Sequence, residues 1–163
     1  MTFPQPQPGT LVLMGTGTSM GVPVIGCDCA VCTSTDPRNA RTRTGVAVYA
    51  PGGTFLIDTP PELRLQLVRE RIGMVEAVIY THAHADHLLG LDDLRVFGYR
   101  RKAPVLLACE ARLEAAIRQT FAYAFVAGPS DHSRPQLEFR RIGTEPFELL
   151  GVTVQPIRLQ HGK

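Results

Sequence analysis

Three of the five histidines in this chain fall within six residues, in Tyr80-Thr81-His82-Ala83-His84-Ala85-Asp86-His87. On an extended segment side chains alternate, so His82 and His84 project to the same side and both imidazoles can reach one ion. If the chain then turns into a helix, Asp86 and His87 diverge and can serve a second ion a few ångströms away. The small Ala83 and Ala85 let the backbone come close. Imidazole and carboxylate are the ligands of open hydrolytic Zn²⁺ sites, and Mn²⁺ and Fe accept them too. The bland alternative is a hydrogen-bonded surface loop that carries several histidines by chance. Two features count against it: an apolar strand, Ala77 to Thr81, leads into the cluster, and Leu88-Leu-Gly-Leu91 anchors its far side.

A second group is Cys27-x-Cys29-x-x-Cys32, three thiols within six residues. Thiolates at this spacing can wrap one structural Zn²⁺, but a closed site needs a fourth ligand. His132 is a candidate for it within the chain. An oxidised pair is the alternative, disfavoured in a reducing compartment. Cys109 ends an apolar run and reads as a small buried hydrophobe. Gly15-Thr-Gly-Thr-Ser19 lacks the Lys of a Walker loop and the full dinucleotide fingerprint, so it reads as a wall that permits close packing, with phosphate contact the lesser option. Arg38, Arg41 and Arg43 could attract phosphate or brace their own loop. Arg95 could face an anionic substrate, whereas Asp92 and Asp93 suit capping or solvent.

The elements that must position these groups follow from periodicity and punctuation. Leu11 to Met14 reads as a buried strand, then apolar periodicity lapses from Gly15 to Thr44; loops of that length are usually functional or ligand-stapled. Val46–Ala50 and Thr54–Asp58 flank Pro51-Gly-Gly53 as a hairpin. A helix is expected over Pro61–Ile72 with Leu63, Leu67 and Val68 on its buried face. A strand over Ala77–Thr81 ends on His82, and Leu88–Arg101 is helical but broken at Gly90 and Gly98. Pro104–Ala108 is a strand and Glu110–Phe125 a helix with Leu113, Ala116, Ile117 and Phe121 in register. Gln136–Ile142, Phe147–Leu150 and Val152–Leu159 close as an alternating β run. This order suits a layered α/β sandwich better than a purely parallel doubly wound sheet.

With 163 residues, 44% hydrophobic and 20% charged, the chain has globular composition. A net charge of +2 argues against binding nucleic acid or anionic membrane through bulk charge alone. Neither a spanning apolar run nor a secretory signal is present, so the expectation is a cytoplasmic, non-membrane protein. There is no internal repeat or linker, so 1–163 reads as a single domain.

His-x-His-x-Asp-His after a buried strand resembles the metallo-β-lactamase superfamily of binuclear metallohydrolases. Gly15-Thr-Gly-Thr-Ser19, Gly21-Val-Pro23, Gly26-Cys-x-Cys-x-x-Cys32, Asp36-Pro-Arg38, Arg41-x-Arg43-Thr44 and Gly90-Leu-Asp-Asp-Leu-Arg95 narrow the resemblance. They are similar to the branch containing the 5-phosphoribosyl 1,2-cyclic phosphate phosphodiesterase of the carbon–phosphorus lyase pathway. The resemblance implies an α/β fold, the metallo-β-lactamase-type αββα four-layer sandwich, of which 1–163 would be the N-terminal part of one domain. It implies two catalytic ions, Zn²⁺ or Mn²⁺. His82, His84 and His161 match the three-histidine site, and Asp86 and His87 match two ligands of the other. The bridging Asp, the last His and the fourth ligand of the Cys27, Cys29 and Cys32 site would follow residue 163. Apolar strand faces would then lack their partner layer. Asp58 matches an acidic residue that supports the metal ligands from behind, although on residue type alone it could equally cap the helix after Pro60.

The activity this implies is hydrolysis of a small, cyclic phosphodiester by hydroxide activated between two ions, with Asp86 holding the nucleophile or managing a proton. Three alternatives stand beside it. One is an endonuclease of the type that processes tRNA 3′ ends, in which nucleic acid is the partner. Another is a catalytically silent metal-binding fragment or scaffold. The third is a cofactor-biosynthesis role like that of a pyrroloquinoline-quinone branch. A homo-oligomer is expected.

Overall fold

The computed structural model describes residues 6–126 and 133–161. Six strands form one sheet in sequence order: β1 (Leu11–Gly15), β2 (Gly45–Ala50), β3 (Gly53–Ile57), β4 (Ala77–Ile79), β5 (Val105–Cys109) and β6 (Leu137–Arg141). The first three pair antiparallel, and β3 through β6 run parallel. The crossovers carry α1 (Leu63–Arg69), α2 (Ala85–Leu88), α3 (Arg95–Arg101) and α4 (Ala111–Thr120), with a 3₁₀ turn at Leu91–Leu94 between α2 and α3. The last two strands, β7 (Phe147–Leu149) and β8 (Val152–Val154), form a separate antiparallel pair.

Strand alternation sorts the apolar side chains into two layers. Met14, Ala47, Tyr49, Leu56, Val78, Val105, Leu107 and Cys109 face the helices, meeting Leu63, Leu67, Leu88, Leu91, Leu94, Phe97, Leu113 and Ile117. The opposite face presents Phe55, Ala77 and Ala108 to Phe147 and Leu149 of the small sheet. The result is helices, sheet and second sheet in layers, the arrangement expected of one part of an αββα sandwich. On β1 the same alternation leaves Leu11 and Leu13 exposed beside buried Met14.

Several expected boundaries move. The β4 ladder stops at Ile79, short of His82. In α1, Val68 is exposed and Gln66 is fully buried beside Leu63 and Leu67. Gly98 lies inside α3 and does not break it, whereas Gly90 does separate α2 from the next turn. Helix α4 ends at Thr120, and Ala122–Phe125 is 3₁₀. The closing β run is not continuous: β6 joins the large sheet, β7 and β8 form their own pair, and 155–161 carries no strand. Among the described residues no helix is long and apolar enough to cross a membrane.

Candidate metal centre

The C-terminal ends of β1, β3, β4 and β5 lie along one edge of the sheet, because these strands share a direction. Asp58 follows β3 there, the histidine motif follows β4, and Glu110 follows β5. Asp58 adopts φ 63, a left-handed conformation that Asp tolerates better than most residues. It is buried, and its carboxylate accepts from Thr81 N–H at 2.8 Å and from Thr81 Oγ1 at 2.7 Å. It also lies 2.6 Å from His87 Nδ1. A carboxylate only accepts, so His87 carries its proton on Nδ1 and leaves Nε2 as the free lone pair.

The same logic fixes His82. The Thr81 hydroxyl has one proton and gives it to Asp58, so at 2.9 Å its oxygen accepts from His82 Nδ1–H. His82 Nε2 is then a bare lone pair, and it is buried with no hydrogen-bond partner. One carboxylate thereby orients two imidazoles, one directly and one through a hydroxyl. Thr81 had no role in the sequence reading; the available signal was a hydroxyl residue directly preceding a histidine of the motif.

The outward nitrogens converge. Ligand atoms of His82, His84 and His161 lie within 4.8 Å of one another, as do those of Asp58, His82 and His87. His84 Nδ1 and His161 Nε2 are 3.4 Å apart, although 77 positions separate them in sequence. Ring centroids are 4.5 Å apart for His82 and His84, 4.7 Å for His82 and His161, and 4.1 Å for His82 and His87. Helix α2 begins directly after His84 and carries Asp86 and His87, the divergence that the spacing predicts. Asp86 Oδ2 lies 3.4 Å from His87 Nε2.

Two acceptors facing at that distance are favourable only with a cation between or on them, either a proton or a metal ion. The Asp58 hydrogen bond accordingly raises the His87 pKa, against its partial burial. Burial, with the neighbouring His87 next, lowers that of His82. A buried, unpaired imidazole nitrogen among three other imidazoles and two carboxylates is a donor set that fits a divalent cation. Backbone ties hold the motif to the Asp58 segment: Thr59 N–H donates to His87 O and Gly90 N–H to Thr59 O, at 2.8 and 2.9 Å. Asp58 does not cap α1, which has no side-chain cap at Glu62.

Cys27, Cys29 and Cys32 bring their sulfurs within 4.8 Å of one another and form no disulfide. Their backbone and mutual hydrogen bonds lower the Cys29 thiol to about 7. His132, the fourth-ligand candidate, lies outside the described residues. Cys109 is buried, as expected, and burial pushes its thiol up to about 11.

The loop arginines brace the loop. Arg43 pairs with Glu62 at 2.6 Å and donates to Ser19 O, Arg41 donates to Thr16 Oγ1, and Arg38 pairs with Asp36. Gly15 packs so closely that a Cβ there would lie 1.9 Å from Arg43 O, which accounts for the glycine wall. Arg95 lies 3.5 Å from Asp92, which also accepts from Tyr123.

Four likenesses to known proteins bear on this site. The beta-lactamase superfamily domain matches residues 53–163. A diphosphatase from the PhnP family superposes with a TM-score of 0.80 at 43% identity, covering 90% of this chain and 55% of that one. Zn²⁺-bound PqqB from Methylobacterium extorquens shares the fold, with a TM-score of 0.66 at 21% identity over 89% of this chain and 54% of that one. A Porphyromonas gingivalis (strain W83) protein named octanoyltransferase is 38% identical over 154 residues, 93% of this chain and 31% of that protein. The chain therefore spans about a third to about half of the length of the relatives it matches.

Proposed function

Because the chain belongs to the beta-lactamase superfamily, in its PhnP-like branch, we propose that it is a metal-dependent hydrolase of a small phosphoric diester, with a cyclic phosphodiester the favoured substrate. The observation that carries this reading is the buried, partnerless Nε2 of His82, with its tautomer set by Thr81 and Asp58, at the meeting point of four imidazoles. The 43% identity with a diphosphatase supports phosphorus over carbonyl chemistry. The octanoyltransferase likeness transfers no activity, since it touches only 31% of that protein.

In this reading His82, His84 and His161 hold one ion, Asp86 and His87 contribute to a second, and Cys27, Cys29 and Cys32 hold a structural Zn²⁺. Divalent ions, Zn²⁺ or Mn²⁺, supply Lewis acidity that acidifies water and offsets charge on phosphoryl oxygens. The protein's own part is orientation. Asp58 keeps His87 Nε2 and, through Thr81, His82 Nε2 directed outward as lone pairs. Asp86 Oδ2, beside His87, is the resident group able to take a proton from an attacking water. Free thiols suit a reducing, cytoplasmic compartment.

A second reading, a catalytically silent metal-binding scaffold, is favoured by ligand count among the described residues: three imidazoles serve one ion, whereas Asp86 and His87 alone of these residues face the other. Assay of the Zn²⁺- and Mn²⁺-loaded chain on cyclic and linear phosphodiesters, with metal content by mass spectrometry, decides. Turnover abolished by His84→Ala supports the hydrolase, and inactivity with both metals on all substrates overturns it. About two ions per chain beyond the cysteine site contradicts the scaffold.

A further inference from the structure

We infer that Glu110, acting through Arg158, is a positioning residue for His161; the inference rests on the metal-site reading above and deepens it. His161 sits at the end of 155–161, a segment without secondary structure in which Ile157 and Leu159 are 77% and 80% exposed. Apolar packing therefore does little to hold it. Besides the hydrogen bond of Gln155 Nε2 to Thr144 O at 2.8 Å and the contact of the His161 ring with that of His82, two side-chain hydrogen bonds tie the segment to the rest of the described residues. Arg158 Nη2 donates to Glu110 Oε1 at 3.0 Å, and His161 meets His84.

Glu110 is well placed for this. Strands β4 and β5 are adjacent and parallel, with Ile79 opposite Ala108 and Tyr80 N–H donating to Ala108 O. Glu110 follows Ala108 by two residues, as His82 follows Tyr80, so both emerge from the same edge on neighbouring strands. Glu110 occupies the N-cap position of α4 but makes no capping hydrogen bond. Its carboxylate instead divides between Arg158 and Arg112, the latter at 2.7 Å. Arg158 precedes His161 by three residues, a span of at most about 11 Å when extended. Fixing the guanidinium confines the imidazole to the neighbourhood of His82 and His84.

An exposed ion pair of ordinary strength corresponds to about a two- to five-fold change in an equilibrium constant. The test is Co²⁺ binding to the whole chain, followed by d–d absorption and calorimetry, with thiolate charge-transfer bands separating the cysteine site. Relative to the wild type, E110Q and R158Q are expected to bind Co²⁺ at the histidine site about two- to five-fold more weakly, with altered d–d intensity. R158K keeps the charge and should bind as the wild type does. R112Q removes the other partner of the same carboxylate and should also leave binding unchanged. His161→Ala is expected to weaken the site more than any of these. If His161→Ala weakens binding but E110Q and R158Q do not, the positioning role is overturned and the metal site stands. R158K as weak as R158Q also overturns it. A wild type that binds no Co²⁺ outside the cysteines, or a His161→Ala variant that binds normally, overturns the inference together with the site reading beneath it.

Discussion

Oδ2 of Asp58 lies 2.6 Å from Nδ1 of His87, although the two residues are 29 positions apart. This contact decides which nitrogen of His87 is available to a metal ion. The same carboxylate sets His82 at one remove, through the Thr81 hydroxyl.

Asp58→Asn should weaken metal binding by about 10- to 100-fold, the usual cost of losing an outer partner of a ligating histidine. The amide can present its NH₂ to His87 and invert the tautomer. A competition titration against a chromophoric chelator measures the loss, and wild-type affinity in the variant would contradict the orientation argument.

Gly90→Ala should destabilise the fold by about 1–3 kcal/mol and disturb the histidine motif. A Cβ there would lie 2.2 Å from Pro60 O and 2.8 Å from Leu63 Cβ, wedging the motif away from the Asp58 segment. Gly143→Ala, where a Cβ meets nothing within 4 Å, is the control and should be nearly neutral. Urea denaturation of the pair gives the comparison.

Glu114 links Arg118 and Arg141, each at 2.8 Å, and these guanidinium groups hold its carboxyl below the usual range. A depressed carboxyl pKa contributes stability above its unfolded value, about 4.3, and that contribution is lost as pH falls through the folded value. Glu114→Gln should cost about 1–3 kcal/mol at neutral pH and flatten the acid limb of stability against pH. Arg118 also lies over Phe125 and Phe139, so its aromatic contacts persist in the variant.

Zn²⁺ should protect Cys27, Cys29 and Cys32 from iodoacetamide, and chelation should expose all three to alkylation. Cys109, buried and with its thiol pushed up to about 11, should stay unmodified in both states until the protein is unfolded. Peptide mapping by mass spectrometry reads each site. Equal labelling with and without Zn²⁺ would remove the case for metal at the cysteine cluster.

Much of the site was legible because its signals are local. The alternation of His82 and His84, the helix turn that separates Asp86 and His87, and the apolar strand before them are short-range patterns that backbone geometry enforces. The hairpin around Pro51-Gly-Gly53 was readable for the same reason, whereas the β run expected over Val152–Leu159 stops at Val154. Val68 faces solvent, against the expected buried face, because it lies about 140° around the helix from Leu63, whereas Gln66 lies only about 60° away. Gln66 faces inward because its amide donates to Thr42 Oγ1 and Arg43 O, so a polar residue fills a core position. Periodicity of apolar residues cannot register that.

The sequence by itself determined which residues could hold metal and which elements would carry them. Composition, spacing and periodicity are properties of neighbours along the chain. Only the tertiary structure decided that Asp58 reaches Thr81 and His87 instead of capping α1. It also decided that His161 comes to His84, that Glu110 holds Arg158, and that the loop arginines spend their charge on Glu62 and Asp36. All but the local Arg38–Asp36 pair are contacts between distant segments, set by the order and direction of strands in the sheet, and local preference carries no information about which distant partners that arrangement brings together.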